Sequence, residues 1–213
     1  MACLHGCYIT SIFRLYTLAC QLPILYFYCM LKPTLLVVLI CLCGLLCGVQ
    51  AQVFSVVRSE VSFQSDAPHE ILKASASNAM KGIVDFNKRT FAFTIPMKSF
   101  DGFNSSLQKE HFNENYMESE KYPAASFSGR IIEEEDFSKD GAYTLRAKGK
   151  LFVHGIAQER IIKCDITIKN GNIKVKSFFT VLLADHEIKV PRIVHEKLAS
   201  EIKINLLAEL TQK

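Results

Sequence analysis

The chain has 213 residues, 25 of them basic and 21 acidic, and 49% of its side chains are hydrophobic. Residues 1–51 contain no Asp or Glu, only two basic residues (Arg14 and Lys32), and seven of the eight cysteines. The remainder holds 23 basic against 21 acidic residues. That balance gives no electrostatic case for nucleic acid or an acidic membrane surface as a partner.

From Met30 the pattern is that of a secretory signal. Lys32 is the positive end, Leu35 to Cys47 the apolar run, and Val49-Gln50-Ala51 the small-residue cleavage site. The run is shorter than the roughly 20 residues that a membrane-spanning helix needs. Residues 1–29 then read as an upstream extension, 30–51 as a signal peptide cleaved after Ala51, and 52–213 as one mature domain. The alternative is a membrane anchor built from both apolar pieces. Leu45 and Leu46 stand before Cys47 where a lipidation site needs small residues. Only Cys164 remains after cleavage, so the mature domain has no internal disulfide and is held by its core.

Phe54 to Phe63 alternates as a strand, with Val57, Val61 and Phe63 expected on one face. Residues 64–70 are turn chemistry around Pro68. Glu70 to Ala79 is ambiguous between an irregular strand and a short helix. Met80, Val84 and Phe86 then share a side, and Asn87-Lys88-Arg89 turns into a strand carrying Phe91, Phe93, Ile95 and Met97 on one face. After Asp101-Gly102, Ser105 with Gln108 fits a capping box. It opens a weakly amphipathic helix over 106–117, suited to lie over an edge or opening. Pro123 ends this insert.

Ala125, Phe127, Gly129 and Ile131 form the next inward row. The acidic run Glu133–Asp136 is a solvated turn that Asp140-Gly141 closes. Tyr143, Leu145, Ala147, Gly149, Leu151 and Val153 then alternate with polar residues, and His154-Gly155 turns the chain. Ile162, Cys164, Ile166 and Ile168 follow. Asn170-Gly171 is a type I′ hairpin signature, leading to Ile173, Val175, Ser177, Phe179 and Val181. A short helix is expected over Val190–Ala199, and Ile202 to Leu210 makes the last strand. This is an all-β chain of about eight antiparallel strands, closed or stacked as a sandwich. Thirteen of the fifteen phenylalanines lie after residue 51. They build either a bulky core or a wall around an apolar space, and composition does not choose between the two.

Three blocks stand out together. The first is Leu107-Gln108-Lys109-Glu110-His111-Phe112, running on to Glu118-Ser119-Glu120-Lys121-Tyr122-Pro123-Ala124-Ala125-Ser126-Phe127. The second is Gly149-Lys150-Leu151-Phe152-Val153-His154-Gly155, and the third Val61-Ser62-Phe63. In combination they resemble the YceI-like, polyisoprenoid-binding family of secreted bacterial proteins. The sequence departs from the family where its helix usually opens with an Arg-Asp pair. Gln108-Lys109-Glu110 stands there instead. The resemblance implies an antiparallel eight-stranded lipocalin-like barrel with one short helical insert and a long apolar tunnel. It implies an isoprenoid or other amphiphilic lipid as partner, in the periplasm or secreted medium. Peripheral or transient membrane contact and a homodimer are the further partner options.

The tunnel-lining candidates are Phe63, Phe91, Phe93, Phe127, Leu145 and Ile162, with His111 near the mouth. An isoprenoid tail offers only apolar surface, worth about 25 cal/mol per Å² when buried, so its wall needs no polar partner. Adjacent Glu110 and His111 point about 100° apart on a helix and do not serve one proton transfer. No H-x-x-x-H, C-x-x-C, G-x-S-x-G or Gly-rich phosphate loop occurs, so no catalytic group, metal or cofactor is expected. An enzyme acting on such a lipid and a packed barrel serving as an interaction or stress-response module are the rival readings.

Overall fold

The computed structural model describes residues 53–191 and 197–213. The upstream extension, the signal peptide and its cleavage point lie outside these residues, as does the centre of the helix expected over Val190–Ala199. Lys197 to Ser200, which are described, are not helical. The strands are β1 (Val53–Asp66), β2 (Ile71–Ser77), β3 (Lys81–Asp85), β4 (Thr90–Pro96), β5 (Ala124–Ile131), β6 (Gly141–Val153), β7 (Ile156–Lys169), β8 (Asn172–Leu182) and β9 (Glu201–Gln212).

All pairings are antiparallel, and β1 closes the sheet by pairing with β9 from Phe54↔Gln212 to Ser65↔Ile202. Along its other edge β1 pairs with β3 over residues 53–55 and with β2 over residues 60–66. β2 and β3 therefore share one strand position, and nine segments build an eight-position barrel. Closure removes the exposed edges that an open sheet of this length would carry.

Two places interrupt the wall. The outer edge of β2 has no strand neighbour among the described residues. Ser75 and Asp101 exchange two backbone hydrogen bonds there, at 2.8 and 2.9 Å. The second place is between β7 and β8. Their ladder runs from Lys169↔Asn172 only as far as Cys164↔Ser177. Beyond it, Ile156–Lys163 pair only with β6, and Phe178–Leu182 only with β9.

Val57 does not share a face with Val61 and Phe63. A bulge between Val56 and Arg58 inserts one residue, so Phe54 and Val56 face inward before it and Ser59, Val61 and Phe63 after it. Val57 is turned out and is 52% exposed. The ambiguous stretch after Glu70 is β2. Its inward residues include Ala74 and Ala76, buried but too small to give a clear hydrophobic period. The hairpins at His154-Gly155 and Asn170-Gly171 have positive φ at both central residues (49° and 77°, 49° and 71°), the I′ geometry.

β5 and β6 approach closely where Gly129 faces Gly149. A Cβ on Gly149 would lie 2.2 Å from the Ser128 carbonyl oxygen, so only hydrogen fits. At the end carrying Phe54, Phe86 and the 170–171 turn, the interior is packed. Leu145, Ile166, Ile168, Ile173 and Leu210 meet there with Phe54, Phe86 and Phe137. The Phe54 and Phe86 rings pack edge-on with centroids 5.5 Å apart. Among the described residues no helix is long and apolar enough to cross a membrane.

Candidate functional site

The insert between β4 and β5 shapes the other end of the barrel. Ser105 caps a short helix, α1 (Ser106–His111), its Oγ accepting from Gln108 N at 3.2 Å. The helix does not continue regularly to Met117. It opens into a π-turn over Phe112–Tyr116, closed by the Met117 N–H donating to the Phe112 carbonyl at 2.9 Å. The Phe112 ring stacks on Phe63 at 5.3 Å and lies 5.2 Å from Phe103. Phe100 lies 5.3 Å from Phe63. Four rings from β1 and the insert therefore roof the barrel beside the free edge of β2.

Under that roof is a cavity of about 670 Å³. Phe63, Phe91, Phe93, Phe127 and Ile162 line it, and His111 stands at its rim. Phe91 and Phe127 are in ring contact at 4.9 Å across β4 and β5, making one aromatic wall. Leu145 is not part of the lining. It lies one inward position nearer the closed end than Ala147, which does line the cavity, and it belongs to the packed core. The mouth-side half of the barrel is hollow and the other half is filled.

Sequence reasoning missed much of the lining. Phe112, Phe100 and Met117 come from the insert, where no strand period marks them as inward. Val175, Phe179, Ile204 and Leu206 sit on rows of β8 and β9 legible as inward, but alternation does not separate a filled level from a hollow one.

The rim is polar. Glu70, Ser105, Gln108, His111 and Lys197 border the cavity. Gln108 Nε2 donates to Glu70 Oε1, and Gln108 Oε1 accepts from Asn104 N at 3.1 Å. This links the start of β2 to the start of α1.

Deeper, Cys164 lines the wall, and burial pushes its thiol above the ordinary value. That favours an unreactive neutral thiol over a nucleophile. Behind the mouth, buried His186 donates from Nδ1 to the Ile156 carbonyl at 3.2 Å. His154 donates from Nδ1 to the His186 carbonyl at 3.1 Å. Burial pulls the His186 imidazole below the ordinary value and keeps it neutral. The two histidines tie the β6–β7 hairpin to the 183–186 turn, whose Leu183 lines the cavity. Among the described residues no group of three His, Cys, Asp or Glu is placed to hold a metal.

A barrel with an apolar chamber, a polar rim and an aromatic roof over one free edge has recognisable relatives. A family model described as YceI-like domain matches residues 53–210. No curated protein matches the chain in sequence. Two solved structures share the fold. One is a polyisoprenoid-binding domain from Saccharophagus degradans implicated in plant cell wall breakdown. It has 10% identity and a TM-score of 0.64, with 77% of this chain covering all of that one. The other is BcnA from Burkholderia cenocepacia, at 15% identity and a TM-score of 0.59, with 71% of this chain covering 95% of that one. The fold agrees with these structures, and the family match spans the whole barrel from β1 into β9. The chain belongs to the YceI-like domain family.

Proposed function

We propose that this protein binds an amphiphilic, isoprenoid lipid in the barrel cavity and carries or sequesters it outside the cytoplasm, in the periplasm or secreted medium. The observation that carries this reading is the hollow half of the barrel, whose walls are mainly apolar and whose polar lining side chains at the opening, among the described residues, are Glu70, Ser105, Gln108, His111 and Lys197. The Saccharophagus domain with the same fold is described as polyisoprenoid-binding, which supports the ligand class.

Size supports it too. At roughly 30 Å³ per non-hydrogen atom, the share of a water in the liquid, the chamber takes about 20 such atoms. That is about four isoprene units, with any further tail or the head group at the rim. Burying that chain at about 0.8 kcal/mol per carbon gives about 16 kcal/mol gross, enough to exceed the 4–15 kcal/mol cost of association. We read the protein as a carrier and not an enzyme, because the cavity wall below the rim is mainly apolar and the one thiol on it, Cys164, is pushed up by burial and so kept neutral.

Native mass spectrometry of the protein from its own envelope tests this. A retained adduct of lipid mass is expected, as is a shift on adding prenyl quinones. An apo mass only, unchanged by added prenyl quinones, refutes the reading.

A further inference from the structure

The small net charge of the domain conceals a one-sided distribution. The outward rows of β6, β7 and β8 carry seven cationic side chains, among them Lys148, Lys150, Lys163 and Lys176, against Glu159 and Asp165 alone. Those four lysines form no ion pair among the described residues, whereas Arg146 is paired with Glu133 and Lys174 with Glu209.

The same face is where the wall parts. From Cys164 and Ser177 toward the mouth, β7 and β8 are no longer joined by backbone hydrogen bonds. Side chains span the seam instead. The Arg160 guanidinium donates to the Thr180 carbonyl at 2.6 Å, Gln158 Nε2 donates to the Asp185 carbonyl at 2.6 Å, and Ser177 Oγ donates to the Lys163 carbonyl at 2.8 Å. Behind the seam lies the cavity, to which Ile162, Phe179 and Val181 contribute from the two strands.

On the outside, one large apolar side chain stands on each lip. Ile161 is 59% exposed on β7 and Phe178 57% exposed on β8, and Phe152, Leu182 and Leu207 are also exposed nearby on β6, β8 and β9. Leu207 is directly opposite Lys176, next to the Phe178↔Asn205 pair. Apolar side chains interleaved with unpaired lysines are the pattern of a surface that enters the headgroup region of a bilayer.

We propose that the β6–β8 face docks on an anionic lipid bilayer, with Ile161 and Phe178 inserted and the lysines on the phosphates, so that the β7–β8 seam faces the membrane. The charge chooses this occupant over a second copy of the chain. A two-fold dimer through this face would set its cationic surplus against itself, whereas an anionic leaflet attracts it. Docking is a property of the outer face and is read without any ligand in the cavity, so it stands or falls separately from the lipid-binding reading.

The test uses residues 53–213, which hold all nine strands and of which the family model matches 53–210. The protein contains no tryptophan, so Phe178→Trp gives a single reporter and Ile83→Trp, on the far side of the barrel, its control. With phosphatidylcholine–phosphatidylglycerol vesicles, Phe178→Trp emission is expected to shift to the blue. Ile83→Trp is expected not to shift, and neither is expected to shift with phosphatidylcholine alone. Adding Lys148→Gln, Lys163→Gln and Lys176→Gln together should weaken vesicle binding about a hundredfold, at about fivefold per lysine near a charged surface. Raised salt should weaken it as well.

Equal shifts at the two reporters, equal binding to neutral vesicles, or no effect of the lysine changes would overturn the proposal. So would a Phe178→Trp emission that responds to protein concentration alone, which would assign the face to a second copy.

Discussion

A small-to-large substitution on the cavity wall separates a hollow barrel from a filled one. Ala125 is half-buried on β5 and lines the cavity. Ala125→Phe adds six non-hydrogen atoms, about 180 Å³ at roughly 30 Å³ each. That is roughly a quarter of the 670 Å³ chamber. In a close-packed interior such an insertion costs about 1–3 kcal/mol or more. In an empty chamber the ring has room and gains contacts, so the urea unfolding free energy should stay within about 1 kcal/mol of the parent.

The added ring should instead shorten the longest tail the chamber encloses by about six carbons, close to one isoprene unit. Calorimetric titration with prenols of increasing length reads this as a plateau reached one unit earlier. Ala76→Phe is the matched control, because Ala76 is fully buried in packed surroundings and does not line the cavity. It should show the full overpacking cost. If Ala125→Phe is destabilised as much as Ala76→Phe and the length profile does not move, the chamber is not a ligand site.

Four further outcomes follow from the packing and the buried groups. Gly149→Ala should lower stability by about 1–3 kcal/mol in urea without changing the length profile, since its Cβ would meet the Ser128 carbonyl. Leu210→Ala, at the filled end and 1% exposed, should cost about 2–5 kcal/mol and lower the melting temperature.

His186 is held neutral in the fold, with its pKa below the unfolded value of about 6.5. Its contribution is complete above that pH and is lost as pH falls below it. Unfolding measured from pH 7.5 down to 5.5 should therefore show a slope of up to about 1.4 kcal/mol per pH unit that His186→Gln reduces. Cys164, with its raised thiol pKa and its place in the wall, should alkylate slowly at neutral pH, and more slowly still with a prenol bound. Peptide mapping of the labelled site measures this, and labelling at the rate of a free thiol in either state would contradict the burial.

Most inward rows are legible because half-buried strands write their faces into a two-residue period. β4, β6 and β9 show it plainly in Phe91-Phe93-Ile95, Leu145 to Val153, and Ile202 to Leu210. Val57 was misplaced because a bulge adds a residue that no local residue type announces. β2 was obscure because its inward positions hold alanine.

The site was half-legible for a different reason. Alternation tells in from out, but not the level along the barrel. Leu145 and Ile162 look alike in sequence, yet one meets Ile166 and Leu210 at the filled end and the other borders the chamber. The roof residues Phe100 and Phe112 depend on the path of the insert, and both pack on Phe63 of β1, far away in the chain. The parting of β7 from β8 left no trace in either strand's pattern, because each keeps its other neighbour.

The zip between β1 and β9 has a consequence for biogenesis. The first strand of the barrel finds its closing neighbour about 140 to 160 residues later, so ring closure waits for nearly the entire domain to be delivered. Until then Val61, Phe63 and their row have only β2 and β3 beside them, and β8 offers a bare margin to any passing polypeptide. A nascent molecule halted before Glu201 would be an open sheet with its apolar inner face and two unpaired margins exposed, the species most prone to aggregate.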